Sequence, residues 1–74
     1  MSVVVYSKKN CPACERLKAS LSKAGVEYEV KNIDADLDAM DFIVGQGHRA
    51  MPVLYVDGVH EAVPQAFLER KNNV

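Results

Sequence analysis

Three features that would point to particular protein classes are absent from this 74-residue chain. No apolar run reaches the roughly 18 residues that a membrane-spanning helix needs, which argues against membrane insertion. Nine basic residues stand against ten acidic ones, and the resulting net charge of −1 supports neither nucleic-acid nor membrane-surface binding. No apolar signal-peptide segment follows Met1, so we expect a protein of the reducing cytoplasm.

Cysteine and tryptophan are also scarce. The chain has two cysteines and no tryptophan. In a reducing compartment, two cysteines in a short chain are more typical of catalysis or metal binding than of a structural disulfide. The hydrophobic fraction of 49% and the charged fraction of 26% are ordinary for a globular protein. Residues 1–74 are therefore expected to form one domain with a small core.

Both cysteines belong to one short motif, Cys11-Pro12-Ala13-Cys14. The apolar run Val3–Tyr6 shortly before it predicts a buried strand, because its residues are apolar without alternation. A pattern of apolar residues at helical spacing follows the motif. The motif is therefore predicted to lie on a turn that leads from a strand into a helix.

The helix after the motif is predicted to run from Pro12 to about Ala24. Proline suits the first helical position, where its missing N–H costs nothing. Asn10 is the predicted N-cap, because asparagine favours that position. Cys11 is then expected where the helix begins, and Cys14 one turn further along, on the apolar face.

The position of Cys11 at a helix N-terminus has a chemical consequence. Only the thiolate form of cysteine attacks disulfides, and an unperturbed cysteine has a pKa of about 8.5. The unpaired N–H groups and partial positive charge of a helix N-terminus favour the thiolate, as do Lys8 and Lys9. Glu15 opposes them weakly, because it is expected to be solvated. We therefore expect Cys11 to attack, and the less exposed Cys14 to resolve.

Three further strands and two further helices are predicted after this helix. The second strand alternates polar and apolar residues, which is typical of a strand with one polar face or of an edge strand. The predicted strands are Val26–Ile33, Val53–Val56 and a short strand from Val59, and the predicted helices run from Leu37 to Val44 and from about Pro64.

Turn and cap residues separate these elements. Either Asp34 or Asp36 can cap the second helix, and Gly45-Gln46-Gly47 is expected to end it. Asp57-Gly58 is a strong hairpin signal between the last two strands. The last three residues, Asn72–Val74, are expected to be frayed.

The predicted order is strand, helix, strand, helix, strand, strand, helix, or βαβαββα, which belongs to the α/β class. A strand-helix-strand unit followed by a helix and a hairpin forms a four-stranded mixed sheet, with the three helices packed on both faces. The first two strands are expected to be parallel, joined by a right-handed crossover, and the last two antiparallel.

A Cys-Pro-x-Cys motif on a strand-to-helix turn, with Met51-Pro52 some forty residues later before a strand, resembles the glutaredoxins. The element order likewise resembles their thioredoxin-like fold. Residues 45–53 look similar to a subgroup, the glutaredoxin-like redoxins that donate electrons to ribonucleotide reductase. The resemblance implies a dithiol thiol–disulfide oxidoreductase that reduces protein disulfides through a mixed disulfide on Cys11, which Cys14 resolves. It also implies a monomer without a tightly bound cofactor.

The resemblance also implies a set of substrate-binding residues. The peptide bond before Pro52 is expected to be cis and to lie beside the cysteines, which leaves the Met51 backbone free to pair with an extended substrate. Lys8, with Arg49 or Gln46, is expected to hold the carboxylates of glutathione or of a peptide. Tyr6 either lines the substrate groove or fills the core. The candidate substrate-binding residues are Tyr6, Lys8, Pro12, Ala13, Arg49, Met51 and Pro52.

Two departures from the family leave the electron source open. Glutaredoxins that grip glutathione carry a Gly-Gly followed by an acidic pair after the fourth strand, and residues 60–66 contain neither. The Trp-Ser-Gly-Phe signature of the ribonucleotide-reductase redoxins is also missing. Glutathione and a thioredoxin reductase therefore stay as alternative reductants.

The same residues are also compatible with other functions. One alternative is a module that binds an iron–sulfur cluster or glutathione without turnover, and another is an adaptor that keeps the fold without redox activity. A zinc site that joins the two cysteines to His48 and His60 is not expected. The twelve-residue separation of the histidines does not match the close spacing of common zinc fingers.

Overall fold

The computed structural model describes residues 2–72, which contain four strands and three helices in the predicted order βαβαββα. The thioredoxin-like arrangement expected from the sequence is confirmed. The strands are β1 (Val3–Ser7), β2 (Glu29–Asn32), β3 (Val53–Val56) and β4 (Val59–Glu61). The helices are α1 (Pro12–Lys23), α2 (Leu37–Gly45) and α3 (Pro64–Asn72).

The four strands of the described residues form one mixed sheet in the order β2-β1-β3-β4. Strand β1 pairs in parallel with β2 and antiparallel with β3, and β3 pairs antiparallel with β4. Val5 in the centre of β1 lies opposite Val30 on one side and Leu54 on the other. The predicted parallel and antiparallel pairs are both present, and β1, whose C-terminal end leads through residues 8–10 to the motif, is a central strand.

Helices cover both faces of this sheet. On one face, Leu21 of α1 and Phe67 of α3 pack with Leu54 in the larger core cluster. On the other face, Ile43 of α2 packs with Tyr55 in a second, smaller cluster. Alternate residues of the central strands supply both clusters, which is why Val3–Tyr6 of β1 and all of β3 are apolar without interruption.

Strand β2 is shorter than predicted, because Val26, the first residue of the predicted strand, is hydrogen-bonded to the end of α1 instead. Gly25 has a φ of +75°, and the backbone N–H groups of Gly25 and Val26 donate to Ser22 O and Leu21 O at 3.1 and 2.9 Å. This is a Schellman motif, and Val26 is buried against the core as part of it. The strand begins only at Glu29.

Helix α2 turns a narrow apolar face to the sheet. Its N-cap is Asp36, whose Oδ1 accepts the Ala39 N–H at 3.1 Å, so the choice between the two aspartates is decided. Ile43 is 2% exposed, whereas Leu37 and Val44, which share its helical pattern, are 82% and 64% exposed. The helical spacing therefore identified the helix, and only the packing identifies its buried side.

The hairpin between β3 and β4 turns at Asp57 and Gly58, as predicted. Both residues have positive φ, +51° and +81°, which is the requirement of a two-residue type I′ turn.

At the C-terminal end of the chain, α3 includes Asn72, while residues 73 and 74 of the segment expected to fray lie outside the described residues. Within residues 2–72, no helix has the length and apolar character needed to cross a membrane.

Candidate active site

Cys11 is the N-cap of α1. Its backbone is extended, with φ −115° and ψ 95°, and its Sγ accepts the backbone N–H of Cys14 at 3.2 Å. The prediction of Asn10 as the cap was wrong. Asn10 adopts a left-handed φ of +52°, which asparagine tolerates better than most residues, and this conformation turns the chain into Cys11. The sulfur itself therefore receives an N–H group of the helix N-terminus.

The two cysteines are joined by a disulfide, and their Cα atoms are 5.2 Å apart. Both are buried, but not equally: Cys11 is 8% exposed and Cys14 is 1% exposed. Cys14 lies on the buried face of α1 together with Leu17 and Leu21. A reagent from solvent therefore reaches the Cys11 sulfur more easily than the Cys14 sulfur.

Met51 and Pro52 lie beside the disulfide, although forty residues separate them from Cys11 in sequence. The peptide bond between Met51 and Pro52 is cis, as the family resemblance implied. The carbonyl oxygen of Met51 is 3.9 Å from the Cys11 Sγ. Both residues are half-buried, and the Met51 side chain packs against the second core cluster. The chain entering β3 thus borders the redox pair.

An open cleft of about 760 Å³ lies on another side of Cys11, where β1 and β2 end. Three lysines (Lys8, Lys9 and Lys18) and two carboxylates (Glu15 and Asp34) line it. Both carboxylates are engaged within the chain. Glu15 pairs with Lys18 at 2.6 Å, and the Asp34 Oδ2 accepts the Lys9 backbone N–H at 2.6 Å. The wall of the cleft therefore carries one more positive charge than negative.

The glutaredoxin family model matches residues 3–61. The chain belongs to the glutaredoxin family. It is 37% identical over 54 residues to the glutaredoxin-like protein NrdH of Salmonella typhimurium, covering 73% of this chain and 67% of that protein. It is 36% identical over 55 residues to the NrdH protein of Lactococcus lactis, covering 74% of this chain and 76% of that protein. The resemblance noted from the sequence is confirmed.

A plant relative and a solved structure complete the comparison. The glutaredoxin of Vernicia fordii is 33% identical over 63 residues, which cover 80% of this chain but 61% of that protein. The structure of NrdH-redoxin from Escherichia coli superposes with a TM-score of 0.83 at 24% identity and covers 95% of this chain and 93% of that one. At this identity the superposition shows a shared fold. Members of the family are thiol–disulfide oxidoreductases, and Cys11 and Cys14 supply the dithiol that this activity requires.

The predicted substrate-binding residues of this glutaredoxin do not all meet at one place. Lys8 and Pro12 line the cleft beside Cys11, and Met51 borders the sulfur from another side. The exposed Arg49 and the half-buried Ala13 are not part of the cleft wall. The predicted roles of all these residues in substrate binding stay predictions.

Tyr6 lies in the core of this glutaredoxin. Its side chain is buried in the second cluster, where its ring stacks on Phe42 at a centroid distance of 5.4 Å. It also meets Tyr55 edge-on at 5.7 Å. Of the two interpretations of Tyr6 made from the sequence, this location corresponds to the core-filling one.

Sequence reasoning missed several residues of the cleft. Ser7, Asn32 and Ala35 line it, and so does Asp34, for which the sequence predicts only a helix-capping role. A topological signal was available, because β1 and β2 are parallel and residues after two parallel strands meet at the same sheet edge, where α/β proteins bind ligands. Among residues 2–72, no group of three or more His, Cys, Asp or Glu is arranged to hold a metal.

Proposed function

We propose that this chain is a dithiol electron carrier of the cytoplasm that reduces protein disulfides, with Cys11 as the attacking and Cys14 as the resolving cysteine. The observation that carries the proposal is the N-cap geometry of Cys11. A thiolate accepts hydrogen bonds better than a thiol, so the Cys14 N–H at 3.2 Å and the partial charge of the helix favour the ionised sulfur. This N–H donates to the Cys11 sulfur and does not stabilise a thiolate at Cys14, which is buried one turn further into α1.

The proposed cycle transfers two electrons to the substrate, and in each step one S–S bond forms as another breaks. The Cys11 thiolate attacks one sulfur of the substrate disulfide, which forms a mixed disulfide and releases the other substrate sulfur as a thiolate. The Cys14 thiolate then attacks the Cys11 sulfur, and the bond to the substrate breaks. The substrate leaves as a dithiol, and the carrier keeps the Cys11–Cys14 disulfide. An external reductant restores the dithiol.

Substrate binding is proposed to use the backbone next to the redox pair. The Met51 carbonyl, 3.9 Å from Cys11 Sγ, is in position to pair with an extended segment that carries the substrate disulfide. Main-chain pairing gives affinity without requiring a particular side chain, which suits a carrier with several clients. We propose Lys8, assisted by Arg49, as the contact for carboxylates of the substrate.

The client and the reductant are further parts of the proposal. Residues 45–53 look similar to the redoxins that serve ribonucleotide reductase, and the two bacterial relatives are named NrdH. The solved Escherichia coli relative is described by its thioredoxin-like activity profile. We therefore propose the disulfide of ribonucleotide reductase as a client and a thioredoxin reductase, rather than glutathione, as the electron source.

Insulin reduction by dithiothreitol, followed by turbidity, tests the catalytic roles. The wild-type chain is expected to accelerate it, and Cys11→Ser is expected to abolish the acceleration. The matched control is the Cys11→Ser/Cys14→Ser double variant, which sets the uncatalysed rate. Full activity of Cys11→Ser would contradict the proposal.

Cys14→Ser tests the order of the two steps. With a disulfide-bonded client peptide, this variant is expected to accumulate a covalent adduct, because its serine cannot displace the bound peptide from Cys11. Peptide mapping by mass spectrometry is expected to locate the adduct on Cys11. Rapid turnover of the client without an adduct would show that Cys14 does not resolve the intermediate.

A further inference from the structure

His48 and His60 form a pair that the redox mechanism does not use. Twelve residues separate them in sequence, yet their ring centroids are 4.4 Å apart with the planes at 65°. They are the two histidines of the chain. His48 is half-buried and His60 is exposed, so the pair is open to solvent.

Two secondary-structure contacts hold this pair together. Tyr55 of β3 and His60 of β4 are directly opposite in the antiparallel register, so their side chains project from the same face of the sheet. His48 is the last residue of the Schellman motif that ends α2, and its backbone N–H donates to Ile43 O at 3.1 Å. The motif depends on Gly47, whose φ is +81°. Both imidazoles are therefore attached to well-defined backbone.

Tyr55 also orients the His48 ring. The Nε2 of His48 lies 3.0 Å from the Tyr55 hydroxyl, which leaves Nδ1 without that partner. Histidines that bind metals almost always use one ring nitrogen for the metal and the other for a hydrogen bond to an oxygen. The contact between His48 Nε2 and the Tyr55 hydroxyl has this arrangement, with Nδ1 as the nitrogen left for a metal.

We propose that His48 and His60 bind one divalent transition-metal ion such as Zn²⁺, with Tyr55 orienting His48 and water completing the coordination. With Zn–N bonds of about 2.0–2.1 Å, two imidazoles on one tetrahedral ion have centroids roughly 5 Å apart. The observed centroid distance of 4.4 Å is close to this separation. No third His, Cys, Asp or Glu of residues 2–72 joins the pair. The site is thus open and weaker than a four-ligand structural zinc site.

Calorimetric titration of the oxidised full chain with ZnCl₂ tests this site. The oxidised form is used because Cys11 and Cys14 are then in a disulfide and cannot bind the metal, and because failure here leaves the proposed redox function untouched. One ion per chain is expected. His48→Gln and His60→Gln are each expected to weaken binding by about tenfold or more, and Tyr55→Phe, which removes the orienting hydroxyl, by about tenfold.

The matched control is Glu29→Gln, an exposed change on β2 at the opposite edge of the sheet, which is expected to bind Zn²⁺ like the wild type. In the wild type, the imidazole NMR signals of both histidines are expected to shift together with added Zn²⁺, a readout that needs no variant to fold. Absence of saturable binding, or loss in one histidine variant but not in the other, would overturn the two-histidine site. So would NMR shifts confined to one ring.

Discussion

At the scale of single residues, Cys11 combines a structural and a chemical role in one atom. N-caps are most often Ser, Thr, Asp or Asn, whose oxygen accepts a backbone N–H of the first turn. Here the Cys11 sulfur does so, and sulfur accepts well only as a thiolate. Reduction of the disulfide therefore leaves a sulfur whose ionised form satisfies the helix N-terminus better than its neutral form.

This arrangement predicts the order in which the reduced protein reacts with an alkylating reagent. Substoichiometric iodoacetamide is expected to modify Cys11 first, because Cys11 is at the helix N-terminus and is 8% exposed, against 1% for Cys14. Peptide mapping by mass spectrometry measures the two sites. The unfolded chain in urea is the control and is expected to react at both sites equally. Equal reaction in the folded protein would contradict the proposed division of roles.

At the scale of elements, helix α2 shows how narrow a buried face can be. Ile43 and Val44 are adjacent residues of this helix and are both β-branched and apolar, yet Ile43 is 2% exposed and Val44 is 64% exposed. Successive helical residues are about 100° apart around the axis, so one can face the sheet while the next faces solvent. Packing against the second core cluster, rather than apolar character, decides which of the two residues is buried.

Alanine at each of these two positions measures the difference. Ile43→Ala is expected to lower the free energy of unfolding by about 2–4 kcal/mol, because it leaves a cavity in the second core cluster. Val44→Ala is the matched control and is expected to change it by less than about 0.5 kcal/mol. Urea unfolding followed by circular dichroism gives both values. Similar losses would mean that α2 is rotated from the orientation described.

The N-cap of α2 supports a second prediction at this scale. Asp36→Ala is expected to cost about 1 kcal/mol of stability, because the Ala39 N–H loses its acceptor. Asp41, exposed in the middle of the same helix, provides the control. Asp41→Ala is expected to be neutral or slightly stabilising, since alanine has the higher helix propensity. The same urea titration compares them, and an equal cost for both variants would exclude a capping role.

At the scale of the whole molecule, the redox pair lies at one end of the sheet, where strands end or begin. Strands β1 and β2 end there and the antiparallel β3 begins there, so the loops that follow or precede them surround Cys11. Lys8, Asp34 and Met51 come from three separate connections. The helices cover the two faces of the sheet, which leaves this end of the sheet open to a partner protein.

A comparison of electron sources tests the proposal for the whole protein. With NADPH present, a thioredoxin reductase is expected to reduce the oxidised chain faster than glutathione with glutathione reductase does, because residues 60–66 lack the Gly-Gly and acidic pair. NADPH absorbance follows both reactions. Cys14→Ser, which cannot form the intramolecular disulfide, is the control and is expected to consume no NADPH with thioredoxin reductase. Faster reduction by glutathione would refute the proposed electron source.

Local signals predicted most of the elements and the redox motif. Pro12, Asp57 and Gly58 act through backbone conformation that each residue imposes by itself, so their positions could be inferred without a structure. The N-cap at Cys11 could not be inferred from the sequence, because asparagine is found at N-caps more often than cysteine. The left-handed turn at Asn10 is what puts that residue outside the helix. Likewise, the start of β2 depends on the hydrogen bonds that the backbone N–H groups of Gly25 and Val26 donate to the preceding helix.

The amino-acid sequence alone determined the order of elements, the parallel and antiparallel pairing, and the pair of cysteines at a helix N-terminus, because turns, helix ends and strand patterns are local properties of the chain. Only the tertiary structure decided which side of α2 is buried, that Asp34 holds the Lys9 backbone, and that His48 meets His60. Each of these depends on how distant segments pack. A contact between residues far apart in sequence exists only once the sheet and its connections bring them together.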